Sequence, residues 1–160
     1  MTKENKKLLE DLYIKQTKAN YPNFPDYAIP MEKFSDKTAN ELTKTICKFI
    51  SYIGGQAERI SNQGQYRDNS KTVTDVLGRQ RKIGSGTWTK GQGTNGTADI
   101  SAIYKGISFK IEVKINKDKM SQAQYKYKES VEKAGAVYLI AKDFDSFIID
   151  FKSEILKRTK

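Results

Sequence analysis

The sequence predicts an α/β domain with a mixed central sheet flanked by helices, and three observations carry that reading. Residues 107–115 alternate strictly, with Ile107, Phe109, Ile111, Val113 and Ile115 on one side and Ser108, Lys110, Glu112 and Lys114 on the other. That is the period of a strand with one buried face. Leu42, Ile46, Phe49, Ile50 and Ile53 recur at helical spacing, which predicts a helix over 38–52 with one apolar stripe. The short apolar run at 136–141 (AVYLIA) follows a helical stretch and suits a strand buried on both faces beside the others.

Taken in order, residues 1–20 are lysine-rich and carry Leu8, Leu9, Leu12 and Tyr13 at loose helical spacing, so a short amphipathic helix is expected. Pro22, Pro25 and Pro30 then stand among Tyr21, Phe24, Tyr27 and Phe34. Proline removes donors and stiffens the chain, which predicts an extended arm, draped over the domain or reaching a second subunit. The chain thus reads as a helix and arm over 1–36 and a main domain over 37–160. The helix at 38–52 opens on Thr38-Ala39-Asn40-Glu41, a capping box, and stops at Gly54-Gly55. A first strand is expected at 56–60.

An insertion at about 61–95 is rich in glycine and basic residues, with Tyr66 and Trp88 interleaved. A loop of that length with no structure of its own would be unusual, so 72–77 and 80–83 are expected to pair as a hairpin. Strands at 98–104 and 107–115 are joined by a two-residue turn at Lys105-Gly106. A charged turn at 116–119 precedes a helix at 121–134, which Ser121-x-x-Gln124 caps and Gly135 closes. Asp143 or Asp145 would cap a last helix with Phe144, Phe147, Ile148, Phe151 and Ile155 on one side. An edge strand over 147–151 fits that pattern too.

Composition narrows the chemistry. One hundred and sixty residues suit one domain, and 29 basic against 19 acidic residues leave a formal charge of +10. That balance points to a polyanionic partner, nucleic acid before an anionic membrane. The absence of histidine excludes Ser-His-Asp triads and histidine-based zinc or nuclease sites. Cys47 is alone, so neither a disulfide framework nor a thiolate cluster forms within the chain; its place on the helix stripe makes it a small core residue. No signal peptide or membrane-spanning run is apparent, and the expectation is a cytoplasmic protein without a membrane partner or small-molecule cofactor.

The register of the central hairpin singles out a site. A two-residue turn pairs Tyr104 with Ile107, so Ile100 meets Ile111 and Asp99 meets Glu112. Like charges directly opposed destabilise a sheet, and an oxygen-seeking divalent cation such as Mg²⁺ or Mn²⁺ would offset the repulsion. Lys114 follows on the same face. Two carboxylates, a metal and a lysine suit metal-assisted phosphodiester hydrolysis.

At this point the residues resemble a family. Asp99 followed by Glu112-Val113-Lys114 resembles the PD-(D/E)xK nuclease signature, with Ala98 where the signature has proline. Gly96-Thr97-Ala98-Asp99-Ile100 and Met120-Ser121-Gln122-Ala123-Gln124 are similar to the G-x-x-D-[IL] and L-S-x-x-Q segments of its VRR-NUC branch. The resemblance covers roughly residues 41–140. It implies a restriction-endonuclease-like fold and a metal-dependent DNA nuclease leaving a 5′-phosphate. It also implies Asp99, Glu112 and the Val113 carbonyl as metal ligands, Lys114 as a catalytic lysine, and a junction- or flap-cutting homodimer, as in stand-alone Holliday-resolvase-like proteins. Glu41 would then be the first-helix glutamate aimed at the metal, and Gln124 the glutamine beside the active site. On the residues alone, both are equally helix-cap residues. Arg59, Asn62, Tyr66, Arg67, Arg79, Arg81, Lys82, Trp88 and Lys90 are the expected nucleic-acid contacts. Two rival readings are a binding module that has lost the chemistry, and a basic interaction protein in which Lys110, Glu112 and Lys114 are a solvated strand face.

Overall fold

The computed structural model describes residues 1–61, 64–89, 91 and 93–158. In chain order the elements are α1 (Lys3–Asn20), α2 (Ala39–Tyr52), β1 (Gln56–Arg59), β2 (Gln65–Asp68), β3 (Lys71–Thr74), β4 (Gln80–Ile83), β5 (Gly86–Thr89), β6 (Ile100–Tyr104), β7 (Ile107–Val113), α3 (Gln122–Lys133), β8 (Val137–Ala141) and α4 (Phe144–Arg158). They divide into two units, residues 1–60 with 95–160, and residues 61–94.

The first unit is a mixed α/β body. Its sheet runs β1-β6-β7-β8, antiparallel except for the parallel pair β7/β8. Alternation and turn chemistry together set the central register. Lys105 and Gly106 both take positive φ, 48° and 76°, as a type I′ turn demands. Tyr104 therefore meets Ile107 and Ile100 meets Ile111, as expected. Strand β7 stops at Val113, short of 115, because Ile115 opens a turn (Asp118 N–H donates to its carbonyl, 3.1 Å) and Asn116 takes a positive φ of 54°.

One face of this sheet carries the core. Ile100, Ala102, Phe109, Ile111, Val113, Val137, Leu139 and Ala141 meet the α2 stripe of Leu42, Ile46, Phe49 and Ile50 and the α4 residues Phe144, Phe147, Ile148 and Phe151. Phe49 stands edge-on to Phe144, Phe147 and Phe151 at centroid distances of 5.5–6.3 Å. Each such side chain contributes about 1.5–3 kcal/mol by leaving water. Parallel pairing of β7 and β8 requires a crossover. Helix α3 supplies it, and α3 buries none of its own residues.

The helix reading of the last segment is the one that forms. Asp143 caps α4, its Oδ1 accepting from Ser146 N at 2.7 Å. Asp145 instead accepts from the Thr2 backbone and from Asn5. Residues 1–36 belong to the same unit as the sheet, which is the draped alternative for the arm. Helix α1 is longer than the short helix expected, and its Leu9 lies in the common core. The proline-bearing segment folds back on its own domain. Ile29 and Phe34 are buried, Tyr13 donates to the Pro30 carbonyl at 3.0 Å, and Glu32 receives Tyr52 at 2.8 Å and pairs with Lys48. No described helix is long and apolar enough to cross a membrane.

The second unit is an interrupted two-stranded ribbon, with β3/β4 nested inside β2/β5, both antiparallel. The outer pair was not anticipated. The inner strand ends at Thr74 rather than 77 because Asp75 builds the tip: its Oδ1 accepts from Leu77 N at 3.0 Å and Arg79 N at 2.8 Å, with Gly78 at φ 78°. None of its described residues is buried.

Candidate functional site

Glu112 lies on the polar side of β7, yet it is only 2% exposed. The cover comes from two elements joined to β7 by the crossover. Helix α3 brings Gln124, whose Nε2 donates to Glu112 Oε1, and β8 brings Tyr138, whose hydroxyl donates to Oε2 at 3.4 Å. From β7's own end, the Lys114 ammonium approaches Oε1 at 3.1 Å and also pairs with Asp118 at 3.2 Å. The Lys114 side chain is itself only 11% exposed.

Asp99 occupies the bend just before β6, one step beyond the Ile100–Ile111 pair. Its Oδ2 accepts the Val113 N–H at 2.9 Å, and its backbone carbonyl accepts from Ile60 N at 2.8 Å. Both ends of the residue are thereby fixed against neighbouring strands. One carboxylate oxygen of Asp99 is thus held by the backbone of the strand that carries Glu112.

The electrostatics follow from burial. Desolvation pushes the Glu112 carboxyl above its ordinary value, and the negative charge of Asp99 adds to that push against the opposing pull of Lys114. Burial alone would lower the Lys114 ammonium, but Glu112 and Asp118 outweigh it and raise it, so the lysine stays protonated. Burial and the neighbouring Glu112 drive the Tyr138 phenol strongly upward, which keeps it a neutral donor. Tyr127 on α3 stands edge-on to Tyr138 at 6.3 Å and flanks it.

Gly96 explains how α3 comes so near. Its φ is 80°, and a Cβ there would strike the backbone of Ala123 and lie 2.6 Å from Gln124 N. The first turn of α3 thus rests directly on the Gly96 backbone, an approach open only to glycine. The same contact sets the position of Gln124.

The expected site residues divide into groups. Asp99, Glu112, Lys114 and Gln124 come together. The two readings of Gln124 turn out to be compatible in one conformer: its Oε1 accepts from Ser121 N at 2.8 Å in the capping box while Nε2 reaches Glu112. Glu41 takes the capping role, its Oε2 accepting from Thr38 N at 3.1 Å and Ser35 Oγ at 2.9 Å. The Ser35 bond, with Thr38, holds its carboxyl below the ordinary range. It lines a cleft with Phe34, Lys37 and Lys44, and neither Asp99 nor Glu112 lines that cleft. Arg59 is exposed on β1, and Tyr66, Arg67, Arg79, Arg81, Lys82 and Trp88 are exposed in the ribbon. Asn62 and Lys90 lie outside the described residues. Tyr138 was missed: the run at 136–141 reads as plain strand core. Its signal is the one hydroxyl in an aliphatic run, since a buried tyrosine O–H needs an acceptor.

A divalent cation fits the donor set. Asp99 offers a second carboxylate beside Glu112, Glu112 carries a buried charge that a cation would relieve, and Mg²⁺ is commonly bound through one or two carboxylates with water completing its shell. The described residues gather no cage of three or more acidic, histidine or cysteine side chains, so water would make up most of that shell. Comparison of the chain with known protein families, curated proteins and solved structures finds no match.

Proposed function

We propose that the protein is a metal-dependent nuclease of the PD-(D/E)xK type, hydrolysing DNA phosphodiester bonds. The observation that carries the reading is a buried glutamate beside a second carboxylate, with a protonated lysine 3.1 Å away. Asp99 and Glu112 would hold Mg²⁺ or Mn²⁺, with the Val113 carbonyl as the resemblance implies; bound there, the ion would acidify water and polarise the phosphate. Asp99 is pre-oriented for this by the Val113 N–H, and Glu112 by Gln124 and Tyr138. Lys114, fixed between Glu112 and Asp118, would orient the attacking water or stabilise charge building on the phosphate oxygens. Burial of Glu112 and of most of the Lys114 side chain strengthens their interactions. Cleavage leaving a 5′-phosphate, and a homodimer presenting two sites to branched or flapped DNA, extend the same reading.

A second reading has an observation of its own. Glu112 already receives Lys114, Gln124 and Tyr138, as in a structural polar network, and this favours a module that grips nucleic acid without cutting it. Incubation with supercoiled, flapped and branched DNA, with and without Mg²⁺, separates the two. The nuclease reading expects metal-dependent cutting that Glu112→Ala and Lys114→Ala each reduce by about 100-fold or more while DNA binding persists. Binding without cutting by the wild type establishes the module.

A further inference from the structure

The ribbon at 61–94 places two large aromatic side chains in water. Tyr66 is 62% exposed and Trp88 66% exposed, and the two are directly paired across β2 and β5. They do not lie on each other. A Cβ at Gly86 would fall within the Tyr66 ring, and one at Gly64 would lie 2.9 Å from Trp88 Nε1. The Tyr66 ring therefore reaches Gly86 at the start of β5, and the Trp88 ring reaches Gly64 just before β2, so the two spread in opposite directions along the ribbon. Each ring touches glycine backbone at one end and is otherwise largely exposed. A ribbon needing only solubility would not seat both of its aromatics in this way.

The charge around the rings is one-sided. Residues 61–94 carry six cations, Arg67, Lys71, Arg79, Arg81, Lys82 and Lys90, against two acids, Asp68 and Asp75. Both acids are occupied within the ribbon. Asp68 receives Lys82 at 2.9 Å and Ser70 N at 3.0 Å, while Asp75 shapes the tip and faces Arg81 at 3.8 Å. Among the described residues no carboxylate pairs with Arg67, Lys71 or Arg79.

We propose that this ribbon is a binding site for single-stranded nucleic acid, in which unpaired bases stack on Tyr66 and Trp88 while the unpaired cations hold the phosphates. The face of a base is what a flat exposed ring recognises, and stacking of this kind tolerates any sequence. In a duplex those faces are covered by neighbouring base pairs, so the choice falls on unpaired nucleotides. The inference shares with the nuclease reading only the choice of nucleic acid as partner.

Trp88 is the chain's single tryptophan, so its emission reports on the site directly. The full chain is titrated in EDTA with oligothymidylate of about 12 nucleotides, with a duplex of equal length and with dextran sulfate. The single strand is expected to quench Trp88 saturably, and added salt to weaken binding. By anisotropy of a labelled strand, Tyr66→Ala and Trp88→Ala should each lose roughly 5- to 100-fold in affinity, and Trp88→Phe should retain most of it. An unchanged melting curve confirms that the variants remain folded. The proposal is overturned if the duplex or dextran sulfate quenches Trp88 as well as the strand does, or if the alanine variants bind the strand like wild type. Because EDTA removes any metal, strand binding without cleavage activity counts only against the nuclease reading. Cleavage with no Trp88 quenching counts only against this one.

Discussion

Glu112 and Trp88 invert the usual placement of their chemical types, and they do so in two differently built parts of the chain. In the body, a carboxylate is enclosed at 2% exposure by a lysine, an amide and a phenol. In the ribbon, an indole is two-thirds exposed against a glycine, in a unit whose described residues include none that is buried. A buried charge and an exposed large apolar side chain are the informative exceptions to ordinary burial. The body holds its exception by packing, so its geometry is rigid and its desolvation strong. The ribbon is held by strand pairing and turn chemistry alone, so its exception stands at little cost to the core.

The contrast is sharpest under core truncation. Phe109→Ala, in the middle of β7, should lower stability by about 3–5 kcal/mol, whereas Leu77→Ser at the ribbon tip, where Leu77 is 72% exposed, should stay within about 0.5 kcal/mol. Denaturant melts of the two variants measure both, and equal losses would break the distinction between the units. A smaller but more local effect is expected from Gly96→Ala. It adds a side chain at positive φ against the α3 backbone and should cost about 1–3 kcal/mol. Amide exchange should then report a loosened first turn of α3.

Smallest is Asp145→Asn, which tests how the N-terminal segment is tied to the body. Burial alone would raise this carboxyl, but hydrogen bonds from Asn5 and Thr2 outweigh it and lower it from 3.8. A depressed folded value means the stabilisation is complete above about pH 3.8 and lost as pH falls through the folded value. The variant should therefore lose up to about 1 kcal/mol at neutral pH and show a flatter acid limb in a stability–pH series.

The central hairpin was legible because two signals agreed: alternation over 107–113, and a Lys-Gly pair able to take positive φ. The meeting of Asp99 with the Glu112 strand followed by counting. Helix α4 was not settled by pattern, since clustered phenylalanines fit a strand as well as a helix; the Asp143 cap and the packing against Phe49 decide it. Strands β2 and β5 went unread because no short turn joins them, whereas β3 and β4 are linked directly through the Asp75–Gly78 tip. Tyr138 escaped notice because β8 is covered on both sides, which hides which residue turns toward the acid. The Glu41 ambiguity was real, and its hydroxyl and backbone donors at Ser35 and Thr38 now account for its placement.

The side-chain amide of Gln124 faces two clients with opposite needs. The start of α3 requires an acceptor, and Glu112 requires a donor. Glutamate there would serve the helix and repel the acid, lysine would do the reverse, and asparagine lacks a methylene of reach. Fraying of that single helical turn would take away one of the three side chains that hold the carboxylate, leaving Lys114 and Tyr138 in place, so the local folding equilibrium of α3 is coupled to the environment of the acid.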